Sequence, residues 1–110
     1  MNLCLLCITL NGMPRVTRLV WDEDVIEKLE RKHGLTTREV EEACFNPGRL
    51  VLKGPKRWKK RRYLVYSQTD AGRYILVVLE PLARGEARVI TARDLKEKEK
   101  RFYKGRRKRR

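Results

Sequence analysis

The stretch Arg62–Leu79, RYLVYSQTDAGRYILVVL, decides the fold. Arg62 to Thr69 reads as a strand, Asp70-Ala71-Gly72 as a hairpin turn, and Arg73 to Leu79 as the returning strand. The run Tyr74-Ile75-Leu76-Val77-Val78-Leu79 is apolar at every position, as a central strand covered on both faces requires. Leu50-Val51-Leu52 forms a strand upstream, separated by the breaker Gly54-Pro55 and a basic loop. Ala87 to Ala92 alternates and forms the last strand. The short turns between these segments predict an antiparallel sheet of about four strands.

Two helices are expected before the sheet. Arg18-Leu19-Val20-Trp21 reads as a short strand, and Asp22 as the N-cap of the first helix, with Glu23 and Asp24 in its first turn. Val25, Ile26 and Leu29 make one apolar stripe. Gly34 stops the helix after Lys32-His33. Thr36-x-x-Glu39 matches a capping box for the second helix, lined inside by Val40, Ala43 and Cys44 and ended by Asn46-Pro47-Gly48. After the sheet, Asp94 is expected to cap a third helix running to Lys104 and closed by Gly105. The result is an α+β domain over residues 14–104, with a basic tail over 105–110. Residues 1–13 include the apolar run Leu3–Leu10, which reads as an edge strand or as an extension ahead of the domain; the extension is favoured.

The chain has 110 residues and a formal net charge of +14, from 28 Lys and Arg against 14 Asp and Glu. That length suits one domain with one modest core. No apolar run approaches the ~20 residues of a membrane-spanning helix. Three cysteines, Cys4, Cys7 and Cys44, make no closed disulfide framework. Cys4-x-x-Cys7 has metal-ligand spacing, but Cys44 and the lone His33 are the only partners in sight, so neither a metal nor another cofactor is expected, and a reducing cytoplasm is.

The charges are segregated. Asp22–Glu42 holds eight acids and four bases, Arg49–Arg62 eight bases and no acid, and Arg93–Arg110 eleven bases and three acids. Trp58, Tyr63, Phe102 and Tyr103 are interleaved with the basic blocks. Cations bind phosphates and aromatic faces stack on splayed bases, so nucleic acid is the expected partner, ahead of a membrane or an acidic protein. No helix-turn-helix pattern supports DNA binding.

An ordered set of residues then points to a family. Trp21-Asp22, Lys32-His33-Gly34, Phe45-Asn46-Pro47, Arg62 opening a strand, Gly72-Arg73 before an apolar strand, and Arg88-Val89-Ile90-Thr91-Ala92-Arg93 followed by Glu99 and Tyr103 stand at matching spacing. From Arg18 to Lys104 the chain resembles the BrnT family of bacterial toxins. The resemblance implies a RelE-like fold, ribonuclease activity, and a BrnA-type antitoxin partner. It departs from the family at Thr91, where Ser is usual, and at Arg57-Trp58-Lys59-Lys60-Arg61, where a His-Ser pair and acids are common.

Metal-free RNA cleavage needs deprotonation of the 2′-OH, stabilisation of the phosphorane, and protonation of the 5′-oxygen. Arg62, Arg73, Arg88 and Arg93 are the natural phosphate clamps, since a guanidinium donates two hydrogen bonds to one phosphate. Arg62 and Arg73 belong to one hairpin and are expected on neighbouring strands. Strict alternation sends Arg88 and Arg93 to opposite sides, favouring Arg93 for the site. Glu99 and Tyr103, four apart, share a helix face; they either position a proton donor, or Tyr103 packs on the sheet while Glu99 pairs with Arg93 or Lys96. Lys32 and His33 either reach the sheet or complement the helix C-terminus. The catalytic candidates are thus Arg62, Arg73, Arg93, Glu99, Tyr103 and His33. RNA binding is assigned to Lys32, Lys56, Arg57, Lys59, Lys60, Arg61, Arg88, Lys100 and Arg101. A non-catalytic RNA- or ribosome-binding module is the alternative.

Overall fold

The computed structural model describes residues 16–108; the readings of residues 1–13 and of the last two arginines lie outside it. Strand β1 (Arg18–Val20) leads into helices α1 (Glu23–His33) and α2 (Thr37–Cys44). Strands β2 (Leu50–Lys53), β3 (Tyr63–Gln68), β4 (Tyr74–Pro81) and β5 (Glu86–Asp94) follow, and helix α3 (Glu97–Lys108) closes the chain. The sheet has five strands in the order β1-β5-β4-β3-β2. Strands β2 to β5 are antiparallel, but β1 runs parallel to β5. The expectation of about four antiparallel strands is therefore corrected to five in a mixed sheet. Turn chemistry reports direction only between strands adjacent in sequence, and β1 meets its partner across most of the chain.

The hairpin sets the two faces. Its register runs from Tyr63 opposite Leu79 to Gln68 opposite Tyr74. Tyr63, Val65, Ile75, Val77 and Leu79 point to one face, where they pack with Leu29 of α1, Leu35, and Val40 and Ala43 of α2. Ser67, also buried on that face, donates its hydroxyl proton to the Ala43 carbonyl at 2.7 Å. The opposite face is only partly covered. There Leu50 and Leu76 meet Leu95 and Tyr103, with Leu64, Tyr66 and Tyr74 packed alongside. Cover on both faces explains why β4 is apolar from Tyr74 to Leu79.

Local signals set the helices with three exceptions. The capping box forms, Thr36 Oγ1 accepting from Glu39 N–H at 3.1 Å and Glu39 accepting from Thr36 N–H at 3.0 Å. Gly34 stops α1 at φ 61°, a conformation open to glycine at little cost. Asp22 does precede α1, but its carboxylate makes no cap bond; it accepts instead from Arg88 at 2.9 Å. Asp94 is not a cap either: it ends β5, and α3 begins at Glu97. The cap role there falls to Glu99, which accepts from Lys96 N–H at 2.8 Å. Helix α3 runs through Gly105 to Lys108. One interior glycine costs a helix about 1 kcal/mol, too little to stop a segment anchored by Tyr103.

One irregularity governs the rest. Val78 faces Thr91 but Leu79 faces Val89, so Ile90 is an extra residue, a β-bulge. Alternation is broken there. Residues paired across an antiparallel ladder share a face, so Arg93 (opposite Leu76), Thr91 (opposite Val78) and Arg88 (opposite Glu80) all lie on the partly covered face. The expectation that Arg88 and Arg93 point to opposite sides is thereby corrected.

Candidate active site

Next to the open part of that face stands the basic loop between β2 and β3. It is closed by Gly54 N–H donating to the Arg62 carbonyl at 2.9 Å. The Trp58 ring lies on Gly54; a Cβ at that position would sit 2.8 Å from Trp58 Cε3, so only glycine lets the loop close this way. Lys53, Lys56, Arg57, Lys59 and Lys60 are exposed. Arg61 donates to the Tyr63 hydroxyl at 3.0 Å and lies over its ring. None of these cations is in an ion pair among the described residues. Two clefts flank the loop. One, about 470 Å³, is walled by its cations. The other, about 380 Å³, has Val78, Ile90 and Thr91 as its floor and Trp58, Lys59 and Arg62 around it. Arg62 borders both, and its Nε is buried without a hydrogen-bond partner. An orphaned guanidinium N–H is costly unless a ligand completes it.

On the same face lies a paired arginine. Arg93 donates two parallel bonds to Glu99, each 2.8 Å. The hydrogen bond from Arg93 holds the Glu99 carboxyl at about 2, helped by the Lys96 N–H. The same bond raises Arg93 above its ordinary value. Tyr66 stands nearby with its ring edge against Phe102 at 5.5 Å between centroids. Burial, then the Glu99 charge, pushes its hydroxyl up, so it remains a proton donor. Arg93 and Arg62 flank the row Thr91–Val78–Leu64, one pleat step to either side. Four residues of strand separate their levels by roughly 13 Å, enough to hold different phosphates of one chain.

Other candidates lie off the open part of this face or are tied to partners within the fold. The hairpin puts Arg73 and Arg62 at opposite ends of neighbouring strands. Arg73 lies on the helix side, donating to Asp94 at 2.7 and 3.1 Å and to the carbonyls of His33 at 2.7 Å and Gly34 at 3.0 Å, with Glu39 at 3.6 Å. Every nitrogen of this guanidinium is committed within the fold, to Asp94 or to the end of α1. His33 sits beside it, and its charge helps to lower the Asp94 carboxyl, after Arg73 itself. Lys32 is exposed on α1. Arg88 shares the open face but is held by Asp22 at 2.9 Å and Glu80 at 3.7 Å. Tyr103 is fully buried, its hydroxyl donating to the Gly48 carbonyl at 2.7 Å. Lys100 lies 5.7 Å from the Tyr74 ring centre and pairs with Glu97, while Arg101 is exposed on α3.

Trp58, Tyr66, Ile90 and Thr91 belong to the face without having been assigned to it. Tyr66 was legible, since Tyr63-Val65-Ser67 and Leu64-Tyr66-Gln68 alternate. The bulge left no mark. Among the described residues no three His, Cys, Asp or Glu side chains gather to hold a metal ion. Cys44 is buried, and burial pushes its thiol up to about 12. No helix among them is long and apolar enough to cross a membrane.

Known proteins give this geometry its context. No curated protein matches the chain in sequence. Among solved structures, the crystal structure of the Brucella abortus ribonuclease toxin BrnT is similar, with a TM-score of 0.58 at 19% identity. The match covers 74% of this chain and 100% of that one, and shows that the two share a fold. The family model for the ribonuclease toxin BrnT of type II toxin–antitoxin systems matches residues 21–99. That span holds the hairpin, the basic loop, the bulge and the Arg93–Glu99 pair, and with most of its length matched the chain belongs to the BrnT family of ribonuclease toxins.

Proposed function

We propose that this chain is a metal-independent endoribonuclease working on the open face of the sheet, in the RelE-like manner. The observation that carries the reading is the coincidence, on one face, of an orphaned Arg62 Nε, an acid-free cationic loop and a preset Arg93. Arg62 and the loop lysines take the phosphates of the RNA backbone. Arg93, aimed by Glu99, meets the phosphate that becomes the phosphorane, where a fixed cation lowers the barrier without reorganising. A carboxylate held at about 2 accepts protons poorly, so Glu99 acts by positioning Arg93. Tyr66, kept protonated, offers its O–H toward the departing 5′-oxygen, while the 2′-OH proton passes to water as the 2′-oxygen bonds to phosphorus and the bond to the 5′-oxygen breaks. His33 and Tyr103 take no part in this scheme, and Arg73 serves the fold.

A type II toxin implies an antitoxin. We assign it the BrnA type and a cytoplasmic setting, with an acidic segment covering the same cations. The test is incubation of the purified protein with RNA in a chelator. Cleavage is expected to persist there and to fall by about a hundredfold or more in Arg93→Ala, the range for losing one transition-state donor. Intact RNA with tight, salt-sensitive binding would instead identify a non-catalytic RNA- or ribosome-binding module.

A further inference from the structure

We propose that the apolar cleft beside Trp58 seats one unpaired nucleobase of the substrate, making Trp58 and Ile90 a recognition subsite. The inference rests on the ribonuclease reading and adds to it a site for the base.

The cleft has the inverse chemistry of a nucleotide. Its floor of Val78, Ile90 and Thr91 is apolar but for one hydroxyl, and its rim carries Lys59, Lys60 and Arg62. A flat aromatic ring joined to a phosphate satisfies both parts, the base against the floor and the phosphate on the rim. A phospholipid also joins an apolar part to a phosphate but has no flat ring to stack on Trp58, and an acidic peptide has no phosphate. Trp58 supplies the stacking surface. Trp58 is 37% exposed, yet its ring rests on Gly54 and its backbone N–H donates to the Pro55 carbonyl at 3.0 Å. Such a ring stacks without first having to be ordered. The bulge supplies the floor: as the extra residue, Ile90 is displaced from the ladder and borders the cleft beside Thr91. The Thr91 hydroxyl, which can donate or accept, is placed to meet the edge of a seated base. A base in a duplex has both faces stacked and cannot enter, so the subsite selects unpaired RNA.

The experiment uses one end-labelled oligoribonucleotide in three forms: single-stranded, annealed to its complement, and carrying an abasic ribose at each position in turn. The full chain is expected to bind the single strand at least about tenfold more tightly than the duplex. Trp58→Leu should weaken single-strand binding by about ten- to a hundredfold, the worth of one stacked base. Ile90→Trp, which fills the cleft and leaves every cation in place, should do the same. One abasic position should reproduce the loss in the wild type and add nothing to it in Trp58→Leu. Thermal melting of each variant shows that it is folded. Unchanged binding in both folded variants, or indifference to the abasic ribose at every position, overturns the subsite, whether or not RNA is cut. If RNA is never cut but binding depends on Trp58 as described, the base seat stands and the ribonuclease reading fails.

Discussion

The cations of this protein fall into two groups that the sequence alone does not separate. Between Lys53 and Arg62, seven basic side chains have no carboxylate partner among the described residues. Arg73 and Arg88, by contrast, are each held by two acids, Asp94 and Glu39 for the first, Asp22 and Glu80 for the second. The first group is repelled by itself and pays for that with nothing in the fold, so it is arranged for an anion from outside. The second group has spent its hydrogen bonds internally. Arg93 stands between them, paired to one carboxylate yet on the open face.

The comparison breaks first at Arg73. Arg73→Ala leaves Asp94 and two helix-end carbonyls without their donor, and unfolding free energy should drop by about 2 kcal/mol in denaturant titration. Cleavage per folded molecule should be unchanged. A large loss of activity without a loss of stability would move Arg73 into the other group.

The mirror experiment reverses loop charges. Lys59→Glu with Lys60→Glu should weaken RNA binding about tenfold or more and flatten its salt dependence by roughly one unit of slope per lost phosphate contact. Stability should stay within about 0.5 kcal/mol, as for most surface changes.

Acid titration sharpens the case of Arg93. Both Glu99 and Asp94 are held below their ordinary values by their arginines. A depressed carboxylate stabilises the fold above its unfolded value and loses that contribution as pH falls through the folded one. For Glu99 the window runs from 4.5 down to about 2. Melting temperature should fall across that range, and Glu99→Gln should flatten the fall.

The smallest effect concerns a residue in neither group. Arg84 occupies the left-handed region at φ 61° in the turn before β5. Arg84→Gly should raise unfolding free energy by about 1 kcal/mol in the same titration and leave RNA binding alone.

What could be read in advance follows the same division. The unpaired loop was legible because Arg49–Arg62 contains no acid, so no neighbour in sequence could claim its cations. The hairpin, the capping box at Thr36 and the stop at Gly34 were legible because each is written within a few residues. Arg73 and Arg88 were not, since Glu39 and Asp22 arrive from the other half of the chain. The direction of β1 was hidden for the same reason. Gly105 misled because a helix is ended by the sum of its neighbours, and Tyr103 holds α3 to the sheet. The pair Glu99–Arg93 was one of two readings open from spacing, and the geometry favours it.

The bulge at Ile90 carries one more consequence. It divides β5 into two halves that are out of phase by one residue, so the chain's length at that point is itself information. Straightening the bulge with Ile90 kept in the ladder would restore an even rhythm and rotate Thr91 and Arg93 beneath α1, exchanging a working surface for a buried charge. Along this strand the hazard to function is therefore a shift of frame more than a change of letter.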